Sequence, residues 1–163
     1  MKLYYKNKTL CTESNYLLLV DASDEKKYDL KWRGLFSRYL QVMDSDKNEL
    51  AQIRREKGLM PHYGVYINAE KIFDLKKEFH PLLPKHSIEG RGWQIQDKAM
   101  LHDYDVLENG APALSVSRCH RDWGQSYEIQ IADGVNELYA VCVALTIDVC
   151  MNGGNFMRPG KDT

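Results

Sequence analysis

The chain has 163 residues, 44% of them apolar and 28% charged, with 22 lysines and arginines set against 23 aspartates and glutamates. That length supports one ordinary domain, able to bury roughly 70% of the surface its unfolded chain exposes. A net charge of −1 excludes both the global basic field of a dedicated nucleic-acid binder and the acidic excess of a disordered tail.

The chain opens MKLYYKNKTL, where Lys2, Lys6 and Lys8 interrupt the apolar stretch that a signal peptide requires. The expectation is a cytosolic chain with reduced thiols. Its four cysteines, Cys11, Cys119, Cys142 and Cys150, form no CxxC pair, so zinc-ribbon and thioredoxin-like readings fail. Further along, Tyr28, Leu30 and Trp32 alternate with Asp29, Lys31 and Arg33, the period of a half-buried strand. Tyr63, Val65 and Ile67 repeat the pattern, as do Tyr127, Ile129 and Ile131. Between the runs lie turn clusters at 23–26, 44–48, 108–110 and 132–134, rich in the Asn, Asp and Gly that tolerate tight hairpins. Ten to twelve strands at this spacing predict an antiparallel sandwich or barrel.

An internal repeat sharpens that choice. Residues 39–67 align with 104–131, so that Ile53 matches Val116, Arg55 matches Arg118, Tyr63 matches Tyr127 and Tyr39 matches Tyr104. Each copy follows a tryptophan, Trp32 or Trp93. Two copies of a multi-strand unit suggest a pseudo-symmetric sheet rather than two domains. The proline cluster His80–Pro84 reads as a strand-edge connection. One domain over 1–156 is expected, with 157–163 as a flexible tail.

Residues 137–151 break the alternation, with Glu137, Thr146 and Asp148 their clearly polar positions, and Asn152-Gly153-Gly154 is a good helix stop. A helix of this length spans roughly 22 Å, short of the ~30 Å bilayer core. A helix apolar on all sides must be buried on all sides. Eight strands make a barrel filled by its own side chains, whereas eleven or twelve leave room for a helix about 10 Å across. The predicted architecture is mainly β: an antiparallel barrel of about 12 strands, built from two pseudo-repeats and enclosing its own apolar C-terminal helix.

These residues resemble the LURP-one-related family, whose fold is that of the tubby C-terminal domain. The likeness runs over nearly the whole chain. It is carried by Ser14-Asn-Tyr-Leu-Leu-Leu-Val-Asp, Tyr28-Asp-Leu-Lys-Trp, Leu40-Gln-Val-Met-Asp and Ala51-Gln-Ile-Arg-Arg. Trp123-Gly-Gln-Ser-Tyr-Glu-Ile-Gln-Ile and the terminal apolar segment Leu138 to Asp148 complete it. The pattern departs at Asp97-Lys-Ala, which replaces a glycine turn. The resemblance implies a non-enzymatic binding or regulatory domain, since tubby-like members hold phosphoinositide headgroups on exposed basic side chains.

The residues that could do this are Arg54, Arg55 and Lys57 after one strand and Lys71, Lys76 and Lys77 along another. Arginine forks suit phosphate; the competing reading is a solvated strand edge on which lysines discourage pairing. Cys119 and His120 are consecutive and point to opposite faces of a strand, so they make no catalytic dyad. His80 and His86 lack metal-ligand spacing, Gly90-Arg-Gly92 is too short to cradle phosphate, and no cofactor motif is present. Neither a catalytic nor a metal site is expected. Asp148, buried near a helix end, must be paired, hydrogen-bonded or protonated. The expected partners are an anionic lipid or membrane surface, placing the chain at a membrane periphery. A protein-interaction scaffold is the alternative and an orphan enzyme the third choice.

Overall fold

A computed structural model of the chain describes residues 1–7, 16–34, 39–78, 85–97 and 103–152. Cys11, the 80–84 proline cluster, His80, Gly153-Gly154 and the tail at 157–163 lie outside them. Twelve strands precede one helix: β1 Lys2–Asn7, β2 Tyr16–Val20, β3 Lys26–Arg33, β4 Tyr39–Met43, β5 Glu49–Arg55 and β6 His62–Ile67, then β7 Glu70–Glu78, β8 Lys85–Glu89, β9 Trp93–Asp97, β10 Tyr104–Glu108, β11 Ala111–Arg121 and β12 Gly124–Ile131, followed by α1 Glu137–Asn152. All twelve form one antiparallel sheet in the order β8-β7-β6-β5-β4-β3-β2-β1-β12-β11-β10-β9. Its two edges, β8 and β9, are joined by the Gly90–Gly92 turn and share no ladder, so the barrel is nearly closed. In that turn Arg91 and both glycines have positive φ, and a Cβ at Gly92 would lie 2.0 Å from Asn109 Oδ1.

Two of the predicted hairpin turns share one construction. The Asp21 carboxylate accepts the amides of Ser23 and Glu25, and that of Asp44 accepts those of Asp46 and Asn48. Asp24 and Lys47 then take the left-handed position. The 132–134 cluster differs from expectation, joining β12 to the helix rather than to a strand.

The predicted repeat maps β3–β6 onto β9–β12, two four-stranded meanders on opposite sides of the sheet order. Ile53 pairs with Val65 as Val116 pairs with Ile129, and Arg55 faces Tyr63 as Arg118 faces Tyr127. The earlier strand of each repeat aligns one residue away from expectation. Leu40 lies opposite Ile53, and Tyr104 lies opposite Val116, so Tyr104 takes the place of Leu40 rather than Tyr39. Trp93, paired with Glu108, sits four residues along the strand from the level of Trp32, because Trp32 pairs with Leu40 whereas Tyr104 pairs with Asp97. Both copies carry a bulge at the same place, between Val42 and Met43 in one and between Val106 and Leu107 in the other.

The core is the space between this wall and α1. Leu30, Leu40, Val42, Ile53, Val65, Phe73, Leu75, Val106, Val116 and Ile129 point inward, and Ala140–Leu145 of the helix are fully buried. The helix packs on β5, β6, β7, β11 and β12. Asn136 caps it, its Oδ1 accepting the Tyr139 amide at 3.1 Å. Thr146 satisfies its hydroxyl by donating to the Cys142 carbonyl four residues back, at 2.6 Å. Among the described residues no helix is long and apolar enough to cross a membrane.

Candidate functional site

The antiparallel order brings the end of β5, the start of β6 and the end of β7 to one end of the barrel, because Arg55 faces Tyr63 and His62 faces Lys76. The helix C-terminus lies at the same end. Burial pushes the Cys150 thiol up to about 11, and the positive charges of Lys77 and Arg55 pull against that shift. Thus the predicted cations share neither one position nor one environment: Lys71, opposite Tyr66, starts from the far end of β7.

Arg55 and Lys77 have the inward parity of Ile53 and Leu75 and stand at the rim beside the helix end. Lys57 is exposed in the loop after β5. Among the described residues no carboxylate pairs with any of these three. The helix end carries no basic residue in its last turn. Its partial charge of about −0.5 lies beside two full positive charges at the rim.

Arg54, Lys71 and Lys76 lie on the outer wall and are already engaged. The Arg54 guanidinium sits 4.7 Å from the Tyr66 ring centroid, and its Nε donates to Gln52 Oε1 at 2.7 Å. That bond is the last in a chain of polar contacts across the sheet, from Arg33 through Gln41 and Glu49 to Gln52. Lys71 reaches Glu56 and Asp74, each at 3.2 Å. Burial lowers the pKa of its ammonium, but the two carboxylates outweigh that and hold it raised. Lys76 pairs with Glu89 at 2.8 Å.

Glu56, His62, Tyr66 and Asp74 organise this wall and carried no sequence signal of their own. Glu56 accepts the Tyr66 hydroxyl and the Lys71 ammonium, which hold its carboxyl below the usual range; Asp74 also takes His62 Nε2 at 2.8 Å. These contacts cross Gly64, where a Cβ would meet Glu56 Oε1 at 2.5 Å.

Asp148 is 1% exposed, inside the barrel. Burial raises the pKa of Tyr5, Tyr104 and Tyr127 first, and the Asp148 charge adds to the rise in each, so all three phenols lie within electrostatic reach of the carboxylate. Tyr104 donates to the Ala144 carbonyl at 3.2 Å, and Arg118 pulls the Tyr127 value down. A second buried carboxylate, Asp29, escaped the sequence reading, which placed it on the wet face of its strand. Its Oδ2 is held by Lys26 at 3.1 Å and by Lys47.

Cys119 and His120 face Ser126 and Gln125 on neighbouring rungs of β11, and burial raises the Cys119 pKa, the reverse of nucleophile activation. A groove of about 310 Å³ lies over β9–β12, lined by Gln96, Asp105, Pro112, Ser115 and Gln130, without a cation. One of about 140 Å³ lies beside Arg54, against Gln52, Tyr66 and Asn68.

Comparison with known proteins agrees with this architecture. A protein of Arabidopsis thaliana solved by X-ray crystallography shares the fold, with a TM-score of 0.64 at 12% identity over 91% of this chain and 90% of that one. The Bacillus subtilis (strain 168) protein YxjI, described as uncharacterized, is 26% identical over 113 residues, covering 69% of this chain and 70% of its own. The family model described as LURP-one-related matches residues 1–148, and the chain belongs to that family.

Proposed function

We propose that this chain is a non-enzymatic binding module of the cytoplasm, peripheral to a membrane, which takes an anionic phospholipid headgroup at the helix end of the barrel. Arg55, Lys57 and Lys77 supply the free charge, with Arg54, Lys71 and Lys76 around them. The observation that carries this reading is the contrast in compensation. Lys71 and Lys76 spend their charge on Glu56, Asp74 and Glu89, whereas the first three meet no carboxylate among the described residues. A full positive charge near an anionic surface contributes about 1 kcal/mol, so three together give roughly a hundredfold preference. Because the net charge is −1, the attraction is local to this end.

The alternative, a protein-interaction scaffold, needs an apolar face of a few hundred Å². Among the described residues the exposed large apolar side chains are Met1, Leu59 and Met60, which favours the headgroup reading.

Co-sedimentation with phosphatidylcholine vesicles, with and without phosphatidylserine, tests the proposal. Binding to the anionic vesicles alone is expected, weakening with salt and falling about a hundredfold in the Arg55→Gln/Lys57→Gln/Lys77→Gln variant. No binding at low salt, or equal binding to neutral vesicles, overturns it.

A further inference from the structure

The loop between β5 and β6 is held firmly at its base and left bare at its tip. The Glu56 amide donates to the His62 carbonyl at 2.8 Å, and the Lys77 amide donates to the Pro61 carbonyl at 3.0 Å. The Glu56 side chain is fastened to Tyr66 and Lys71. Beyond this clamp Lys57, Gly58, Leu59 and Met60 all lie exposed. Leu59 is exposed to the full extent of its side chain, and Met60 to 38%.

A single exposed leucine on a protein surface is ordinary. Here three conditions coincide. Two large apolar residues are adjacent, they project from a pinned loop rather than lying on a wall, and the uncompensated cations Arg55, Lys57 and Lys77 surround their base. A protein partner would have to match an apolar point ringed by positive charge. An anionic bilayer offers both layers in the required order, charge at the headgroups and hydrocarbon immediately beneath.

We infer that Lys57–Met60 is a membrane-insertion tip: Leu59, followed by Met60, enters the acyl–headgroup boundary of an anionic bilayer while Arg55, Lys57 and Lys77 rest on its phosphates. This rests on the headgroup reading and specifies its partner as the bilayer itself rather than a free phosphorylated headgroup. Two terms then add, apolar burial that salt leaves intact and a charge term that salt screens.

The test uses the full chain with phosphatidylcholine/phosphatidylserine vesicles. Leu59→Ser, at a site with no internal contacts to lose, should lower partitioning by about tenfold or more while leaving the salt dependence as in the wild type. In a Leu59→Trp variant, the emission in excess of that from Trp32, Trp93 and Trp123 should be quenched by vesicles with brominated acyl chains. If Leu59→Ser binds the vesicles as tightly as the wild type, or the Leu59→Trp emission is untouched by bromines, insertion is wrong and the headgroup reading survives. If the wild type ignores the vesicles, both are wrong. Lipid-free self-association that Leu59→Ser abolishes would also overturn the inference, by making a second copy the occupant.

Discussion

The Glu56 carboxylate, just past the end of β5, and the Lys71 ammonium of β7 meet 3.2 Å apart across the backbone of Gly64 in β6. With the Tyr66 hydroxyl on the same carboxylate, the pair ties the root of the β5–β6 loop to the barrel wall. The missing side chain of one glycine therefore decides how firmly the candidate binding tip is held.

Gly64→Ala should separate local from global effects. The added Cβ would lie 2.5 Å from Glu56 Oε1 and 3.2 Å from Lys71 Cε, both ends of flexible chains that can swing away. Removing a strand glycine gains about 0.5–1 kcal/mol of chain entropy, which offsets the lost contacts, so overall stability should change by less than about 1 kcal/mol. The Glu56 pKa, held low chiefly by the Tyr66 hydroxyl, should rise toward its ordinary 4.5. Because the folded value is depressed, Glu56 contributes stability above the ordinary carboxylate pKa and loses it as pH falls through the lowered value. Carboxyl NMR titration and urea midpoints at pH 7 and pH 3 check both halves. A Glu56 titration unmoved by the alanine contradicts the account.

Asp29 makes a sharper stability prediction. A carboxylate with 0% exposure, held by Lys26 at 3.1 Å and by Lys47, keeps its charge buried if the lysines go. Lys26→Met/Lys47→Met should cost about 3 kcal/mol or more. Adding Asp29→Asn should recover part of that loss, because the stranded charge is then gone. A triple variant no more stable than the double would show that the lysines act through something other than Asp29.

The barrel interior should also fail in alkali. Burial pushes the Cys142 thiol up to about 12 from an ordinary 9.0, and it raises Tyr5 and Tyr104 well above 10.0, with the Asp148 charge adding to each. Raised values mean that stability is full below the unfolded values and is lost as pH climbs from about 9 toward the folded ones. Cys142→Val, nearly the same volume, should reduce the stability lost between pH 9 and 10 by about 1 kcal/mol. Equal slopes in chemical denaturation of the two proteins would contradict this.

Much of this fold was legible because its signals are local. Period-2 alternation marked β3, β6 and β12, and the solid apolar run from 137 to 151 required a closed wall around it. Arg55 and Arg118 with their facing tyrosines fixed the correspondence of the two repeats to the rung. What stayed hidden depends on pairings distant in sequence. Only the pairing shows that Tyr104 takes the place of Leu40, and Asp29 reads as an outward residue until a turn eighteen residues away delivers Lys47 over it. Likewise, the six cations look alike in sequence, and only the register shows that Glu56, Asp74 and Glu89 neutralise two of them.

Asp148→Leu tests the helix end. The carboxylate is buried, and its charge adds to the raised pKa of Tyr5, Tyr104 and Tyr127, so its loss changes the electrostatics of all three phenols. Weakening the surroundings of buried donors costs about 1–3 kcal/mol, so the thermal midpoint should fall by several degrees. An unchanged midpoint would mean that Asp148 is carried passively by the core.

The central claim is that charge left free at the helix end binds anionic headgroups, and an amide chemical-shift map recorded with anionic and neutral lipid nanodiscs tests it most directly. The account predicts that anionic discs alone perturb Arg54 to His62 and Leu75 to Lys77, while the Asp21 and Asp44 turns stay silent. Shifts that centre on those turns, or that appear equally with neutral discs, would contradict it.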